Sequence, residues 1–514
     1  MCGLLSSTDS GVTPAAFEHA LRLMHHRGPD ASAHESCASG AQFGHTRLAI
    51  LDLDDRSNQP FRSEDGRYLM VYNGEIYNFR ELARKHRLTL RTSGDTEVLM
   101  QLWVRLGARA LGELNGMFAL VIYDTLTGQL FAARDRLGVK PLYYVQRGAD
   151  YTFSSELAPL LELYPDQTVD EFGIRQYQKL RTFFNGRTLY NDIHMFPAGH
   201  YLEDGRVHRY WDLPEGPSAP PSDEELRELV ESAVQYRNIA DVEVGSYLSG
   251  GLDSTIVAGL SEQPHTWTVG SQGSNEFSWA RLAAERFGTK HHEVLLEEPE
   301  FLEIATDLIT HRREPLSVPN EVQLYAMTRE VREHNTVILS GEGADELFFG
   351  YDRVFRWAAG SETFDLREFD RLYSYGSHED DEVLEDALAP FRSRGATIDV
   401  VAAFFQISHL HGLLRRLDNS TMRCSVEGRV PFVDYRLVER MAGVPFEYRM
   451  AGGEVKAPLK RVFADLVPRE IRERKKVGFP VDLQRVFHDE AGDPQMDRWL
   501  QFNLDTLGVL VDER

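Results

Sequence analysis

The sequence is short of positive charge. Its 514 residues include 56 lysines and arginines against 80 aspartates and glutamates, which gives a net charge of -24. Duplex nucleic acid and anionic membranes are bound through basic surfaces, so this balance argues against both as primary partners. A chain of this length also exceeds one ordinary hydrophobic core, and we expect at least two domains.

Cysteine and long apolar runs are scarce as well. The three cysteines, Cys2, Cys37 and Cys424, are too widely spaced for a disulfide framework or a metal cluster. No apolar run approaches the roughly 18 residues that span a bilayer. The N-terminus lacks the basic and apolar regions of a secretory signal. These absences predict a cytoplasmic protein, in which Cys37 is interpreted as a bystander thiol.

Proline is concentrated at one point of the chain. Residues 213–224 carry four prolines, which helix interiors and central strands exclude. We therefore predict a front domain at 1–212, a linker at 213–224 and a back domain at 225–485. Residues 486–514 are left as a C-terminal tail without further interpretation.

The two halves differ in their periodicity. The front half contains short apolar or alternating runs bounded by turn residues, with helical stretches at 14–25 and 95–109. This pattern predicts an α+β sandwich with helices packed on antiparallel sheets. The back half alternates strands with helices, which predicts a parallel sheet with ligands at the carboxyl ends of its strands. Residues 352–470 are predicted to be mainly helical.

Cys2 directly follows the initiator Met1. Removal of Met1 would give one residue both a thiol and a free α-amine. Their ordinary pKa values of about 8.5 and about 7.7–8.0 leave both groups partly deprotonated near neutral pH. The amine can then act as the base for its own thiol, as in other nucleophile–base pairs. Cys2 is therefore the candidate nucleophile.

Other front-domain residues suit the binding of an amino acid. The structural interpretation of Asn73-Gly74 is a type I′ hairpin turn. The functional interpretation is an oxyanion hole, built from the side-chain amide of Asn73 and the backbone N–H of Gly74. Arg47, otherwise a solvated strand residue, offers a bidentate fork for an α-carboxylate. Asp95, otherwise a helix N-cap, and Glu75 are the candidates for an α-ammonium group. The histidines His25 and His26 are interpreted as structural.

Residues 1–212 resemble the class II, N-terminal nucleophile glutamine amidotransferase domain. The resemblance rests on Cys2, on Tyr-Asn-Gly-Glu at 72–75, and on the runs at 26–30, 114–119 and 134–141. It implies an αββα sandwich of the Ntn-hydrolase type. It also implies that Cys2 attacks the side-chain amide of glutamine while Asn73 and Gly74 hold the oxyanion. A γ-glutamyl thioester would form and be hydrolysed, releasing ammonia and glutamate.

Two loops of the back domain follow strands and suit phosphate binding. Ser-Gly-Gly-Leu-Asp-Ser at 249–254 opens a helix, and its glycines let backbone N–H groups surround phosphate. The loop lacks the Gly-Lys-Ser/Thr ending of a P-loop. Asp253, and Asp345 in the second loop at 340–346, are hard oxygen donors for Mg²⁺. A third strand end, at 268–270, is a candidate contact for adenine.

Residues 225–485 resemble the synthetase domain of asparagine synthetases. The runs at 249–254, 288–293 and 425–432 carry the resemblance. It implies a pyrophosphate-loop (PP-loop) ATP pyrophosphatase fold with additional helices, in which Lys456 stabilises the adenylation transition state and Glu342 positions or deprotonates the attacking ammonia. The residues it implies for ATP binding are Leu248, Ser249, Gly250, Gly251, Asp253, Ser254, Val269, Ser340, Gly341 and Lys476.

Together the two halves predict one reaction, in which ammonia from glutamine converts an adenylated carboxylate into an amide. Aspartate is the leading acceptor. The sequence departs from the pattern of asparagine-synthetase-like chains at 313–320 and at Phe349. These departures leave open another acceptor: a sugar uronic acid, a peptide or a secondary-metabolite intermediate. The alternatives are a β-lactam-synthetase-like ligase and a non-catalytic sensor. The sequence does not fix the oligomeric state, although the resemblance suggests a homodimer.

Overall fold

The computed structural model describes residues 2–271, 275–374, 377–474, 481–487 and 495–509. Two antiparallel sheets form the front unit, with strand orders β10-β8-β9-β1-β3-β2 and β12-β11-β7-β6-β5-β4. Strands β1 to β12 are Cys2–Ser7, Ala31–Ser36, Gln42–Arg47, Phe61–Arg62, Tyr68–Ile76, Gly116–Asp124, Leu130–Arg134, Tyr143–Arg147, Asp150–Ser154, His194–Met195, His200–Glu203 and Arg206–Arg209.

Helices cover the outer faces of both sheets. Leu5 of the first sheet packs with Phe17 and Leu160, and Phe118 of the second packs with Val98. Leu4, Val121 and their neighbours fill the space between the sheets. The predicted αββα sandwich is therefore confirmed. The helices of this unit, α1 to α5, are Pro14–Arg22, Phe79–Lys85, Asp95–Leu106, Leu157–Leu163 and Glu171–Leu180.

The back unit is built on a parallel sheet, as the alternating pattern predicts. Its strand order is β15-β14-β13-β16-β17, and every pairing is parallel. Strands β13 to β17 are Val244–Tyr247, His265–Ser271, Lys290–Leu296, Val337–Leu339 and Glu427–Arg429. The edge strand β17 was not predicted, because three residues of Glu-Gly-Arg inside a helical region carry no strand periodicity.

Helices surround this sheet and form the rest of the unit. Helices α6 to α22 are Asp223–Arg237, Leu252–Ser261, Phe277–Phe287, Glu298–Arg312, Asn320–Val331, Ala344–Leu347, Asp352–Gly360, Leu366–Tyr373, Asp381–Leu388, Thr397–Phe404, Leu410–Met422, Tyr435–Met441, Phe446–Arg449, Ala457–Val462, Arg469–Glu473, Leu483–Phe487 and Gln495–Thr506. Short 3₁₀ segments lie at His25–Arg27, Asp55–Ser57, Gly107–Glu113, Ala389–Arg394, Pro431–Val433 and Ala451–Gly453, with a π-helical turn at Phe405–His409.

One helical stretch has the length and apolar composition of a membrane-spanning helix, which the sequence did not predict. Thr397–Met422 is long and apolar enough to cross a bilayer by length and composition. More than half of its most apolar window is buried inside the protein. It therefore packs as a core helix.

The structure also describes the linker and part of the C-terminal tail, for which the sequence predicted no helix or strand. Residues 213–222 have no regular structure, and Ser222 caps α6 by accepting a hydrogen bond from the N–H of Glu225. Beyond residue 486, α22 buries Trp499 against Phe301 of α9. The described part of the tail is thus packed onto the back unit.

A continuous apolar cluster joins the two units. Leu48, Met117 and Leu137 of the front unit belong to the same buried cluster as Val430 and Val433 of the back unit. Burial of apolar surface on this scale fixes the orientation of the two sheets toward each other. The strand that carries the candidate nucleophile lies at the same interface.

Candidate active sites

Cys2 begins β1 and is only 8% exposed. Its backbone nitrogen, which would be the α-amine after removal of Met1, donates a hydrogen bond to Oδ1 of Asn73 at 3.0 Å. Burial raises the pKa of the Cys2 thiol, and the nearby charge of Arg47 opposes that shift. After removal of Met1, the thiol would have an adjacent amine to accept its proton and a cation that favours the thiolate.

Asn73 and Gly74 lie inside β5 rather than in a turn. They pair with Ala119 and Phe118 of β6, so the hairpin-turn interpretation is wrong. Glycine is required at 74 because a Cβ atom there would lie 2.1 Å from the carbonyl oxygen of Met117. Among the described residues, the buried Nδ2 of Asn73 has no hydrogen-bond partner. Its N–H bonds are therefore available to an oxyanion beside Cys2.

Arg47 lies directly opposite Cys2 in the β1–β3 pairing and is only 6% exposed. The reading of Arg47 as a solvated strand residue is therefore wrong. Its guanidinium donates to the carbonyls of Leu51 at 3.2 Å and Asp54 at 2.9 Å, and to Oδ1 of Asn58 at 2.7 Å. These bonds hold the cation in one orientation at the nucleophile.

Asp95 is the first residue of α3, and the preceding Gly94 occupies the N-cap position. The N-cap interpretation is therefore wrong. Its Oδ2 instead accepts hydrogen bonds from the hydroxyl of Tyr72 at 2.7 Å and the N–H of Ile76 at 2.8 Å. These bonds hold the Asp95 carboxylate against β5, the strand that carries Asn73 and Glu75.

Glu75 is the second buried carboxyl of this pocket. Its Oε2 has no hydrogen-bond partner within the described part of the chain, and Oε1 lies 3.5 Å from the guanidinium of Arg429. Burial raises the pKa of both Glu75 and Asp95, and for Glu75 the charges of Asp95 and Glu427 add to that shift. The fold thus brings together every residue that the sequence assigned to this site.

The second candidate site is a cavity of about 340 Å³ at the carboxyl end of the parallel sheet. Ten of the predicted residues line it: Leu248, Ser249, Gly251, Asp253, Ser254, Ser340, Gly341, Glu342, Asp345 and Lys456. Ser249 and Ser254 are joined through their hydroxyls at 3.0 Å, and Ser249 accepts from the N–H of Gly251 at 3.3 Å. This arrangement fixes the loop that follows β13.

Three residues assigned to ATP lie elsewhere or cannot be placed. Gly250 has a φ of +70°, and a Cβ there would lie 2.5 Å from the backbone of Trp279, so its role is to allow the turn. The side chain of Val269 is buried inside β14, while its neighbours Trp267 and Thr268 line the cavity. Lys476 lies outside the described residues.

Lys456 joins the two loops electrostatically. Its ammonium lies 2.5 Å from Asp253 and 2.7 Å from Asp345. Burial opposes the charge, but these carboxylates outweigh it and hold the pKa of Lys456 above its ordinary value. Gly350 leaves room for the pair, since a Cβ at that position would meet Oδ1 of Asp345 at 1.7 Å. Two carboxylates converging on one cation are also a donor set that fits Mg²⁺.

Glu342 and several cations complete the cavity. Oε1 of Glu342 pairs with Arg416 of α16 at 2.5 Å, while its Oε2 has no hydrogen-bond partner among the residues described. The cationic lining residues that sequence reasoning missed are Arg416, Lys460, Arg472 and Arg474. Three of them lie on helices and Arg474 directly follows α20, so only the packing of these segments brings them to the cavity.

The edge strand β17 connects the two sites. Arg429 extends its guanidinium toward Glu75 in the first candidate site. The carbonyl of the same residue accepts the N–H of Ser340, which lines the second cavity, at 2.8 Å. A change at either site can therefore reach the other through one residue.

The interface also buries an ionic cluster, which gives a first prediction. Asp418 accepts from Arg27 at 2.9 Å and lies 3.4 Å from Lys140, with all three side chains buried. We expect Asp418→Asn to lower the free energy of unfolding by about 3–5 kcal/mol, because it removes the charge of the carboxylate that two buried cations share. Urea denaturation followed by tryptophan fluorescence measures the change.

The exposed pair of Arg147 and Asp166, 3.0 Å apart, provides the control. Asp166→Asn should cost less than about 1 kcal/mol. Equal effects of the two substitutions would contradict a structural role for the buried cluster.

Comparison with known proteins supports the family resemblance of both the front and the back domain. A glutamine amidotransferase domain model matches residues 1–211, and an asparagine synthase model matches residues 225–507. Asparagine synthetase [glutamine-hydrolyzing] 3 of Bacillus subtilis is 30% identical, over 85% of this chain and 80% of its own length. Asparagine synthetase B [glutamine-hydrolyzing] of Escherichia coli is 28% identical, over 89% and 77% respectively.

Proposed function

We propose that this chain, which belongs to the asparagine synthase family of ATP-using, glutamine-dependent amidotransferases, makes an amide by passing ammonia between its two sites. The observation that carries the proposal is the convergence of Cys2, Arg47, Asn73, Glu75 and Asp95 in one buried cluster, linked by β17 to the cavity of the second site. We assign the glutaminase to 1–212, the synthetase to 225–485, the linker to 213–224 and a C-terminal tail to 486–514.

In the front pocket Cys2 attacks the side-chain carbonyl carbon of glutamine while its α-amine takes the thiol proton. Nδ2 of Asn73 and the N–H of Gly74 donate to the oxyanion. Arg47 binds the α-carboxylate, and Asp95 with Glu75 binds the α-ammonium group. Collapse of the intermediate releases ammonia and leaves a γ-glutamyl thioester, which water hydrolyses to glutamate.

In the second cavity the acceptor carboxylate attacks the α-phosphorus of ATP, and pyrophosphate leaves. The loops at 249–254 and 340–341 would surround the phosphates, with Lys456 placed to offset the charge that develops. Mg²⁺, which Asp253 and Asp345 would hold, supplies further neutralisation of the phosphates when bound. Glu342 positions ammonia for attack on the acyl-adenylate, and AMP leaves as the amide forms.

A closed route between the pockets matters for this chemistry. Ammonia in water at neutral pH is mostly ammonium, which is not a nucleophile. The apolar cluster shared by the two units would keep the transferred molecule neutral. This need for a separate nitrogen supply disfavours the β-lactam-synthetase-like alternative, which closes a carboxylate onto an internal amine without glutamine.

Aspartate is the leading acceptor, which would make asparagine the product. A second candidate, another carboxylate, is favoured by the unusual stretch at 313–320, because its last residue, Asn320, lines the cavity and lies 3.3 Å from Arg416. We also infer a cytoplasmic location from the few, widely spaced cysteines, and a homodimer from the resemblance.

The acceptor assignment can be tested with a panel of carboxylic acids, scored for glutamine-dependent release of pyrophosphate. Aspartate should give the highest kcat/KM, and Cys2→Ala should remove glutamine-dependent amide formation with every member. An inert aspartate beside an active sugar acid or amino-acid derivative would overturn the asparagine assignment. The amidotransferase chemistry would survive that result.

Glutamine binding should weaken as pH falls. Because the pKa values of Glu75 and Asp95 are raised, acidification protonates them before ordinary carboxyls and removes the charge that binds the α-ammonium group. Isothermal titration of the Cys2→Ala protein with glutamine, from neutral to mildly acidic pH, should show a rising Kd. Glu75→Gln should flatten this dependence, and an identical pH profile in both proteins would contradict the assignment.

A further inference from the structure

Two histidines and a glutamate converge at the interface, away from both pockets. His26 and Glu156 belong to the front unit, in the 3₁₀ turn His25–Arg27 and just before α4, and His311 belongs to α9 of the back unit. Nε2 of His26 lies 2.9 Å from Oε1 of Glu156 and 3.5 Å from Nε2 of His311. One ligand atom from each residue lies within 4.8 Å of the other two.

The 3.5 Å separation of the two Nε2 atoms matches the edge of a metal coordination tetrahedron. Zinc binds imidazole nitrogen and carboxylate oxygen at about 2.0–2.2 Å, so neighbouring ligand atoms in a tetrahedron lie about 3.3–3.5 Å apart. The two imidazole rings meet edge to face, with centroids 4.5 Å apart and planes at 80°.

The donor atoms of the three groups suit a cation. His26 and His311 each offer an imidazole nitrogen, and Glu156 offers a carboxylate oxygen. These are donor types that zinc takes in proteins.

Arg27 is the competing cation, because its Nη1 lies 3.0 Å from the same Oε1 of Glu156. The position of Arg27 does not depend on its contact with Glu156. Its Nη2 lies 2.9 Å from Asp418, and its Nε donates to the carbonyl of Cys2 at 3.1 Å. Arg27 can therefore yield Oε1 of Glu156 to an ion while keeping two other partners.

We propose that His26, Glu156 and His311 form a binding site for a divalent transition-metal ion of the Zn²⁺ class, which bridges the two units. The two nitrogens favour zinc-like ions over Mg²⁺, which prefers oxygen. All three residues are partly exposed, so a fourth ligand can come from solvent. The site is separate from the carboxylate pair proposed for Mg²⁺.

An ion bound at this site would affect the position of Cys2 through Arg27. His26 precedes Arg27, the residue that holds the carbonyl of Cys2. An ion tying His26 to His311 would fix this segment against the back unit. We expect Zn²⁺ to raise the Tm of the full-length protein, because it binds the folded interface and not the separated units.

The test measures Zn²⁺ binding directly, in the full chain and without ATP or glutamine. A Cys2→Ala background removes the N-terminal thiol as a competing ligand, and equilibrium dialysis against Zn²⁺ gives the stoichiometry and Kd. We expect one Zn²⁺ ion to bind tightly to each chain. His311→Ala should raise the Kd at least about 10–100-fold, the range observed when a residue that hydrogen-bonds to a metal ligand is replaced. The Tm increase on adding Zn²⁺ should disappear in the same variant.

Two comparisons make the outcome decisive. His208→Ala removes an exposed histidine of β12 and should leave both the affinity and the Tm shift unchanged. Glu156→Gln, which retains the shape of the side chain, should weaken binding as His311→Ala does. Equal Zn²⁺ affinity in the His311→Ala and His208→Ala proteins would overturn the proposal. Because no step requires turnover, this result is independent of the amidotransferase assignment.

Discussion

Replacement of Cys2 by alanine is expected to abolish amide formation from glutamine and to leave amide formation from ammonium salts intact. The substitution removes the nucleophile, a loss on the order of 10⁶ in rate for enzymes that depend on one. The second cavity contains no atom of Cys2 and should still accept ammonia from solution. Amide product measured with each nitrogen source, at saturating ATP, separates the two outcomes.

Asn73→Ala tests the same pocket without removing its nucleophile. Loss of one oxyanion donor should lower glutamine hydrolysis by about 10²–10³-fold. Cys37→Ala provides the matched thiol control and should behave as the unsubstituted protein. If Cys2→Ala also eliminated ammonia-dependent synthesis, the two sites would not be separable and the proposed division of labour would fail.

Lys456→Ala should stop acceptor-dependent release of pyrophosphate while basal glutamine hydrolysis continues. The ammonium lies between Asp253 and Asp345 and so joins the two loops. Removing a positioned cation from a phosphoryl-transfer site costs on the order of 10³ or more in kcat. Pyrophosphate and glutamate, assayed in parallel, report the two sites separately.

The control for Lys456 is Lys460, which lines the same cavity but lies 3.7 Å from the exposed Glu454. Lys460→Ala should have a much smaller effect. Because Lys456→Ala also leaves two partly buried carboxylates facing each other, Lys456→Arg retains the charge as a check on folding. If Lys456→Ala released pyrophosphate at a normal rate with normal Tm, Lys456 would have no part in adenylation.

The sequence predicted most of the supporting fold because the signals were local. Alternating apolar runs located β6 and β7, and the change to a strand–helix rhythm located β13 to β16. The readings of Asn73 and Asp95 failed for a different reason. An Asn-Gly pair and an aspartate before a helix have strong local preferences, and here contacts across the sheets outweigh them. No local pattern could report that Tyr72 and Ile76 would take up the Asp95 carboxylate.

Phe349 shows a departure whose consequence only the structure reveals. It has a φ of 58°, the left-handed region that costs a residue with a side chain about 1–2 kcal/mol. Its ring stacks on Phe355 with centroids 4.1 Å apart and lies under the guanidinium of Arg449 at 4.3 Å. Burial of an aromatic ring is worth enough to offset the strain. Phe349 does not line the described cavity, so its influence on the acceptor would be indirect.

The dual role of Arg429 limits how this enzyme can be recombined. Its backbone belongs to the edge strand of one unit, while its side chain reaches a carboxyl group of the other. A glutaminase transplanted onto a foreign synthetase would leave Glu75 without that arginine and Arg27 without Asp418. A working chimera would therefore have to carry β17 and the Asp418 turn of α16 along with the front unit, so the natural place to cut the chain is not the proline-rich linker.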